Sequence, residues 1–477
     1  MASTHAATPR IVTWPGPEGE PSSEQYEVRV SGKPLFVYRA KVRQAIAKPP
    51  DSIWTHEMGA EAETVSFAYF DFEGRVEVAV TPRRPFKAAT VHPLSAGIRP
   101  QVEGATIRFE LDRPRKLTIL LDGSDREVLH LFAGAPETHR PKPGDPNVLY
   151  FGPGIHKTGT IRIKSGQRVY IAGGAVVRGH ILPDEKPALS KRSGLKYYSR
   201  GILDVRGVSD VRISGRGILD GGLIPHAAKI LIMVADASDV RIEGILLRDS
   251  PNWAVCLFGS RDVHVSDVRQ ISGRLNSDGI IPVGCRHIRI RDCFIRNHDD
   301  SIAVKTVQPG VKSSDIRVED CILWNDWGYA LGITYETRAP IHDVTFRNCD
   351  VLTARLSALG VYLVDSGTVS NITFEDIRVE ATCDKLLRVV IGSDMWGTDP
   401  ERGHIRGVRF KDVCVAGPRV PPSEIAGFDA DHRVEYVVFE NLRIHGKTIR
   451  SAAEGKITIN AHTKSILFGW PRPPRRR

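Results

Sequence analysis

From residue 210 onward one short motif recurs nine times, and it limits the fold more than any other feature of the sequence. A residue that is usually polar leads into an apolar–x–apolar triplet, then Asp, Asn or Gly, then a second apolar run. The motif starts at Asp210 (Asp-Val-Arg-Ile), Asp239, Asp262, His287, Asp315, Asp343, Asn371, Gly407 and Tyr436, in steps of 29, 23, 25, 28, 28, 28, 36 and 29 residues. Alternation with a period of two marks short strands. Repeats of this length with few helical patterns mark a stacked solenoid of strands. The Leu/Asn framework of leucine-rich repeats is missing, and a propeller blade needs four strands in about 40 residues. The pattern therefore predicts a right-handed parallel β-helix with three strands per coil, over residues 147–465. Cys293, Cys321 and Cys349 fall 28 residues apart in one register, which stacks them inside the coil.

The region before the repeats reads differently. Short alternating runs such as Tyr26-Glu-Val-Arg-Val, Val76-Glu-Val-Ala-Val and Leu117-Thr-Ile-Leu-Leu are separated by turn clusters. They predict an antiparallel β-sandwich over 23–140, joined to the helix through Pro141-Lys-Pro-Gly-Asp-Pro146. Residues 1–22 read as a loose arm and 466–477 as a basic tail. The chain is thus expected to be all-β, an N-terminal β-sandwich followed by a right-handed parallel β-helix, with the sandwich as packing support. The net charge of +10 is scattered, and no binding fold accompanies the tail, so nucleic acid is not an expected partner. No apolar run approaches the length of a membrane span. The seven cysteines contain no CxxC pair, so neither zinc nor disulfides are expected, and buried free thiols are. With no apolar leader in residues 1–22, the expected location is cytoplasmic, or secreted if a leader has been trimmed.

Against this frame, Asp278 precedes Asp299 by 21 residues and Asp300 by 22, roughly one coil. An Asp-Gly turn and a solvated Asp-Asp loop are the ordinary readings of such pairs. Stacking on neighbouring coils instead brings three carboxyls together, and such groups cannot all ionise freely. On a straight strand Asp299 and Asp300 point to opposite faces, so both reach the groove only if the chain turns there.

Ser250-Pro251-Asn252-Trp253, Asn276-Ser277-Asp278-Gly279 and Asp299-Asp300-Ser301-Ile302-Ala303-Val304-Lys305 resemble the "SPN…NTDG" and "DDCIAIK" runs of polygalacturonases, glycoside hydrolases of family 28. A sandwich before the helix is more similar to the dextranase/isopullulanase family, family 49. The resemblance covers most of residues 145–450. It implies a glycoside hydrolase with a carbohydrate substrate, no cofactor and no metal. It assigns Asp299 as general acid and Asp278 with Asp300 as the pair that positions water, with inversion of configuration.

Two departures bear on the substrate. The family's Gly-His-Gly is replaced by Gly328-Tyr329-Ala330, and its Arg-Ile-Lys carboxylate clamp by Tyr362-Leu363-Val364. Loss of a cationic clamp points to a neutral, glucan-like sugar, with a galacturonan as the alternative. Asn276, His298, Lys305, Tyr329, Tyr335 and Trp396 are candidate substrate-binding residues, and Trp324 and Trp327 further stacking platforms. Each has an ordinary structural reading as well: a stacked asparagine, a solvated lysine, or a packed ring. The segment Ser393–Arg402 lengthens its coil to 36 residues, as a lid or end-wall would. A calcium-using lyase or epimerase and a non-catalytic sugar-binding helix are the competing classes. The sequence leaves the oligomeric state open.

Overall fold

The computed structural model describes residues 8–43, 63–190 and 196–469. From Val148 onward the strands wind into a parallel β-helix with three faces. One face is an eleven-stranded parallel sheet running from Ile161–Ile163 to Ile457–Ile459. The other two share hydrogen bonds within a 21-stranded sheet, and in the later coils they merge into long strands such as Ile341–Thr353 and Thr368–Val379.

The repeat motif has a backbone cause. All nine of its first residues, Asp210 through Tyr436, have positive φ, between 50° and 74°. Asp, Asn and Gly tolerate this left-handed conformation best, which is why they dominate the position. A second left-handed series, including Asp267, Asp292, Asp320, Asn348, Asp376, Asp412 and Asn441, turns the chain between the two linked faces. Asn348 Nδ2 donates to Asp320 Oδ1 at 2.6 Å, and Asn441 Nδ2 to Asp412 Oδ1 at 2.6 Å, so these turns are tied from coil to coil.

Inside, like stacks on like. Val211, Val240, Val263, Ile288, Ile316, Val344, Ile372, Val408 and Val437 form one register through successive parallel pairings. Phe346, Phe374, Phe410, Phe439 and Phe468 stack with centroids 4.9, 5.1, 5.1 and 4.8 Å apart, close to the strand spacing. Cys293, Cys321 and Cys349 are fully buried as the spacing required, whereas Cys383 and Cys414 are exposed, unlike the buried thiols expected throughout. The last strand, Thr463–Phe468, completes this stack, so residues 466–469 belong to the helix and not to a tail. Residues 470–477 lie outside the described residues.

The N-terminal domain is a sandwich of a six-stranded and a five-stranded sheet. It is not wholly antiparallel: Glu63–Glu73 and Leu129–Gly134 pair in parallel. The arm expected to be loose is docked. Arg10–Val12 adds a strand to the sandwich, and buried Glu20 takes ion pairs from Arg248 (2.6 Å) and Arg178 (2.7 Å) of the helix. The sandwich lies along the side of the helix, where Tyr38, Phe67, Tyr69 and Phe132 pack on Val176, Ile218, Leu246, Ile271, Phe294 and Trp324. Arg216–Asp71 (3.0 Å), Lys116–Asp292 (2.6 Å) and Arg43–Asp326 (3.2 Å) fasten the same boundary. Trp324 is therefore an interface residue, with the Arg296 guanidinium 4.2 Å from its ring centroid, and not a sugar platform.

Candidate active site

Three successive corners of the helix build the site. Each lies where the chain passes from a strand of the large sheet to a strand of the eleven-stranded face. Leu275 ends one strand, Asn276 turns in the left-handed conformation (φ 58°), and Asp278-Gly279 leads into Ile280–Val283. One coil on, Asp299-Asp300-Ser301 links Phe294–His298 to Ile302–Thr306. The third corner, 326–328, precedes Tyr329–Thr337. The turn needed for Asp299 and Asp300 to share a side is thus the corner itself.

The corners stack closely, and this fixes two glycines. A Cβ on Gly279 would lie 2.1 Å from the Ser301 carbonyl oxygen, and one on Gly328 2.5 Å from the Asp300 nitrogen. Buried amides hold the turns from behind. Asn297 Nδ2 donates to the carbonyls of Asp299 (2.7 Å) and Asp300 (3.0 Å), and Ser301 Oγ donates to Asn297 Oδ1 (2.7 Å). Asn325, paired with Asn297 on the next coil, donates to the same Asp299 carbonyl.

Asp278, Asp299 and Asp300 each present an oxygen within 4.8 Å of the others. Their surroundings differ. Asp300 Oδ1 accepts from the Tyr329 amide (3.0 Å), Oδ2 from Thr334 Oγ1 (2.6 Å), and Lys305 Nζ stands 3.5 Å from Oδ2. Asp299 accepts from the amides of Asp300 (2.9 Å) and Asn276 (3.2 Å). Even so, burial and the neighbouring Asp300 charge push its carboxyl up to about 7. Asp278 is buried as well. Burial, then Asp299, holds it well above the usual carboxylate range, and its Oδ1 has no hydrogen-bond partner among the described residues. The cluster therefore keeps protons near neutral pH, as an acid–base pair must. It is also the one convergent set of potential metal-ligand atoms among the described residues. The Lys305 ammonium already occupies the flank of Asp300, and a positive charge there opposes a second cation.

The triad opens into a cavity of ≈ 340 Å³ lined by Trp253, Asn276, Lys305, Trp327, Tyr335, Glu336, Leu356, Asp394, Met395 and Trp396 as well as the three aspartates. Asn276, Lys305, Tyr335 and Trp396, named from sequence, and the Trp327 platform are all on its wall. His298 and Tyr329 are not. His298 lies against Trp327, rings parallel and 6.2 Å apart. Tyr329 is fully buried, and its hydroxyl accepts from Arg388 Nη1 at 2.9 Å. Both shape the wall from behind. The long insertion does reach the site: Asp394, Met395 and Trp396 line the cavity. It is pinned by Asp399, which pairs with Arg338 (2.8 Å) and Ser366 (2.6 Å), and by Asp365, which accepts from the amides of Thr398 and Asp399.

Glu336 was not read from the sequence. Tyr335 has φ 57°, and the register slips between Val304–Ile333 and Thr306–Thr337. This bulge sends Thr334 to Asp300 and Glu336 to Lys305 (2.9 Å). A bulge of this kind leaves no mark in the alternation of residue types.

Comparison with known proteins follows the same lines. Residues 196–419 match the model of the glycosyl hydrolases family 28. A probable polygalacturonase of Vitis vinifera is 26% identical over 199 residues, which are 41% of this chain and 34% of that protein. A probable exopolygalacturonase B of Emericella nidulans is 24% identical over 282 residues, 53% of this chain and 56% of that protein. The chain thus spans between about a third and a little over half the length of these relatives. Among solved structures, Dex49A from Penicillium minioluteum aligns over 95% of this chain and 96% of its own, with a TM-score of 0.66 and 14% identity. An exopolygalacturonase from Thermotoga maritima aligns over 68% and 83%, with a TM-score of 0.56 and 19% identity. The chain resembles the β-helix glycoside hydrolases of families 28 and 49, and its fold is theirs.

Proposed function

We propose that this protein is a glycoside hydrolase that cleaves a galacturonan-type oligosaccharide from an end held in the cavity. The observation that carries this reading is the convergence of Asp278, Asp299 and Asp300 at the cavity floor. Asp299, raised to about 7, protonates the leaving oxygen. Asp300 and Asp278 orient the attacking water. Both line the cavity with an oxygen within 4.8 Å of Asp299, and a water bonded to them favours their carboxylate form.

The matched family and the named relatives, polygalacturonase and exopolygalacturonase, favour galacturonan over the neutral glucan expected from sequence. The helix also weakens the argument for a neutral sugar. Tyr362 occupies the place of the clamp, but Arg388, from the next coil, lies 4.1 Å over its ring. Arg355 lies 5.9 Å over Trp327 of the cavity wall. These two guanidinium groups stand beside the place of the missing clamp and behind the wall, while Lys305 is the cation on the wall itself among the described residues. The exopolygalacturonases among the similar proteins, and the presence of the insertion residues Asp394–Trp396 on the cavity wall, support action on chain ends. One observation favours a neutral sugar as the second reading: five carboxyl groups line the cavity against the single ammonium of Lys305.

The test is a hydrolysis screen of oligogalacturonides, polygalacturonate and neutral α-glucans, fructans and arabinans, with Asp299→Asn alongside. Release of end units from oligogalacturonides, lost in a folded Asp299→Asn, supports the proposal. Turnover of a neutral glycan alone moves the substrate to the second reading. Activity that survives Asp299→Asn overturns the assignment of the acid.

A further inference from the structure

Lys305 is the cation nearest the triad, and it is almost fully enclosed. Its ammonium contacts Asp300 Oδ2 at 3.5 Å and Glu336 Oε2 at 2.9 Å. It also lies over the rings of Trp253 (5.5 Å) and Tyr335 (5.4 Å). Of its two carboxylate contacts, the one with Glu336 is the tighter. A buried ammonium without a carboxylate partner would be costly. Glu336 can meet that need without itself being one of the three reacting carboxyls. The bulge at Tyr335 serves this contact, since without it the strand would not turn the Glu336 side chain toward Lys305.

We propose that Glu336 is a positioning residue: it anchors the Lys305 ammonium beside Asp300, and through that ammonium sets the pH at which the Asp278–Asp299 pair releases its proton. The inference rests on the acid–base reading of the triad. The groups that face Lys305 are Asp278, Asp299 and Asp300 at the corners, Glu336 and Tyr335 on the next strand, and Cys256 two coils back. Asp394 of the insertion lines the same cavity. Lys305 favours the ionised form of Asp278 and Asp299, and Glu336 opposes it at Asp278. Removing the Glu336 charge leaves the lysine less compensated, so the pair releases its proton at lower pH. Removing the lysine charge does the reverse. A purely structural role predicts no such opposition of sign.

The experiment is a titration of the aspartate carboxyl carbons by ¹³C NMR in the free protein, with the signal assigned through Asp299→Asn. Glu336→Gln is expected to lower the midpoint by about one pH unit, and Lys305→Met to raise it by a similar amount. If Lys305→Met fails to fold, Lys305→Arg, which keeps the charge, is expected to leave the midpoint within a few tenths of a unit, and Glu336→Gln still lowers it. An unmoved midpoint in Glu336→Gln, or shifts of the same sign in Glu336→Gln and Lys305→Met, overturns the proposal. Because the titration needs no substrate, it stands apart from the reaction. A protein that hydrolyses no glycan but shows opposed shifts keeps the positioning role and loses the proposed function. An active protein with unmoved midpoints does the opposite.

Discussion

Replacing Asp299 by Asn is expected to abolish activity and to stabilise the fold at neutral pH. The Asp299 carboxyl rises from an ordinary 3.8 to about 7 in the folded protein. Between those values the folded state holds a proton that the unfolded chain has released. Stability from this group is therefore full below about pH 4, declines as pH rises, and is lost by about pH 7. The shift corresponds to about 4 kcal/mol at most. Asp299 is partly open to the cavity, and solvent screening brings the usable figure to about 2 kcal/mol. Asparagine fills the same volume without a charge to desolvate. Chemical or thermal denaturation of both proteins from pH 4 to 8 measures the difference. The variant should match the wild type near pH 4 and exceed it by about 2 kcal/mol at pH 7.5. An advantage that is constant with pH, or a variant less stable at pH 7.5, refutes the claim that Asp299 sits in an environment hostile to its charge.

Three further outcomes follow from the same geometry. kcat/KM should fall about tenfold per pH unit above pH 7, as the acid with its value of about 7 loses its proton; a flat profile to pH 9 contradicts it. Trp396→Ala removes a ring from the cavity wall and should raise KM about tenfold, equivalent to about 1.4 kcal/mol, with a smaller change in kcat; an unchanged KM refutes its part in binding. Asp326→Ala strips buried Arg296 and half-buried Arg43 of their shared carboxylate and should destabilise the fold by about 3 kcal/mol, seen as a lower denaturation midpoint; a midpoint equal to the wild type's shows that the sandwich boundary does not depend on it.

The helix was legible because its cause is local. A left-handed corner every coil demands Asp, Asn or Gly, and the stacked interior demands Val, Ile, Phe or Cys at a fixed offset. His287 and Tyr436, which fit the first demand poorly, still carry the second, so the repeat survived them. The triad was legible for the same reason, since its residues occupy successive corners. What escaped was set by pairing between distant segments. The parallel pairing of Glu63–Glu73 with Leu129–Gly134 joins strands more than fifty residues apart and has no local signature. Docking of residues 10–22 depends on Arg178 and Arg248, far along the chain. Trp324 and Trp327 differ by one strand–corner boundary, yet one packs against the sandwich and the other faces the cavity. Glu336 reaches the site from a neighbouring coil, and Arg388 covers Tyr362 from the next one, so reading one coil at a time missed both.

The most direct test of the central claim is cleavage of a short oligogalacturonide in ¹⁸O-enriched water, with mass analysis of the products and chelator present throughout. The three-aspartate hydrolase places one ¹⁸O at each new reducing end, gives no unsaturated product, and is unaffected by chelator. Products with a double bond and no ¹⁸O, or activity lost to chelator, would contradict it and assign the carboxylates to elimination or to a metal.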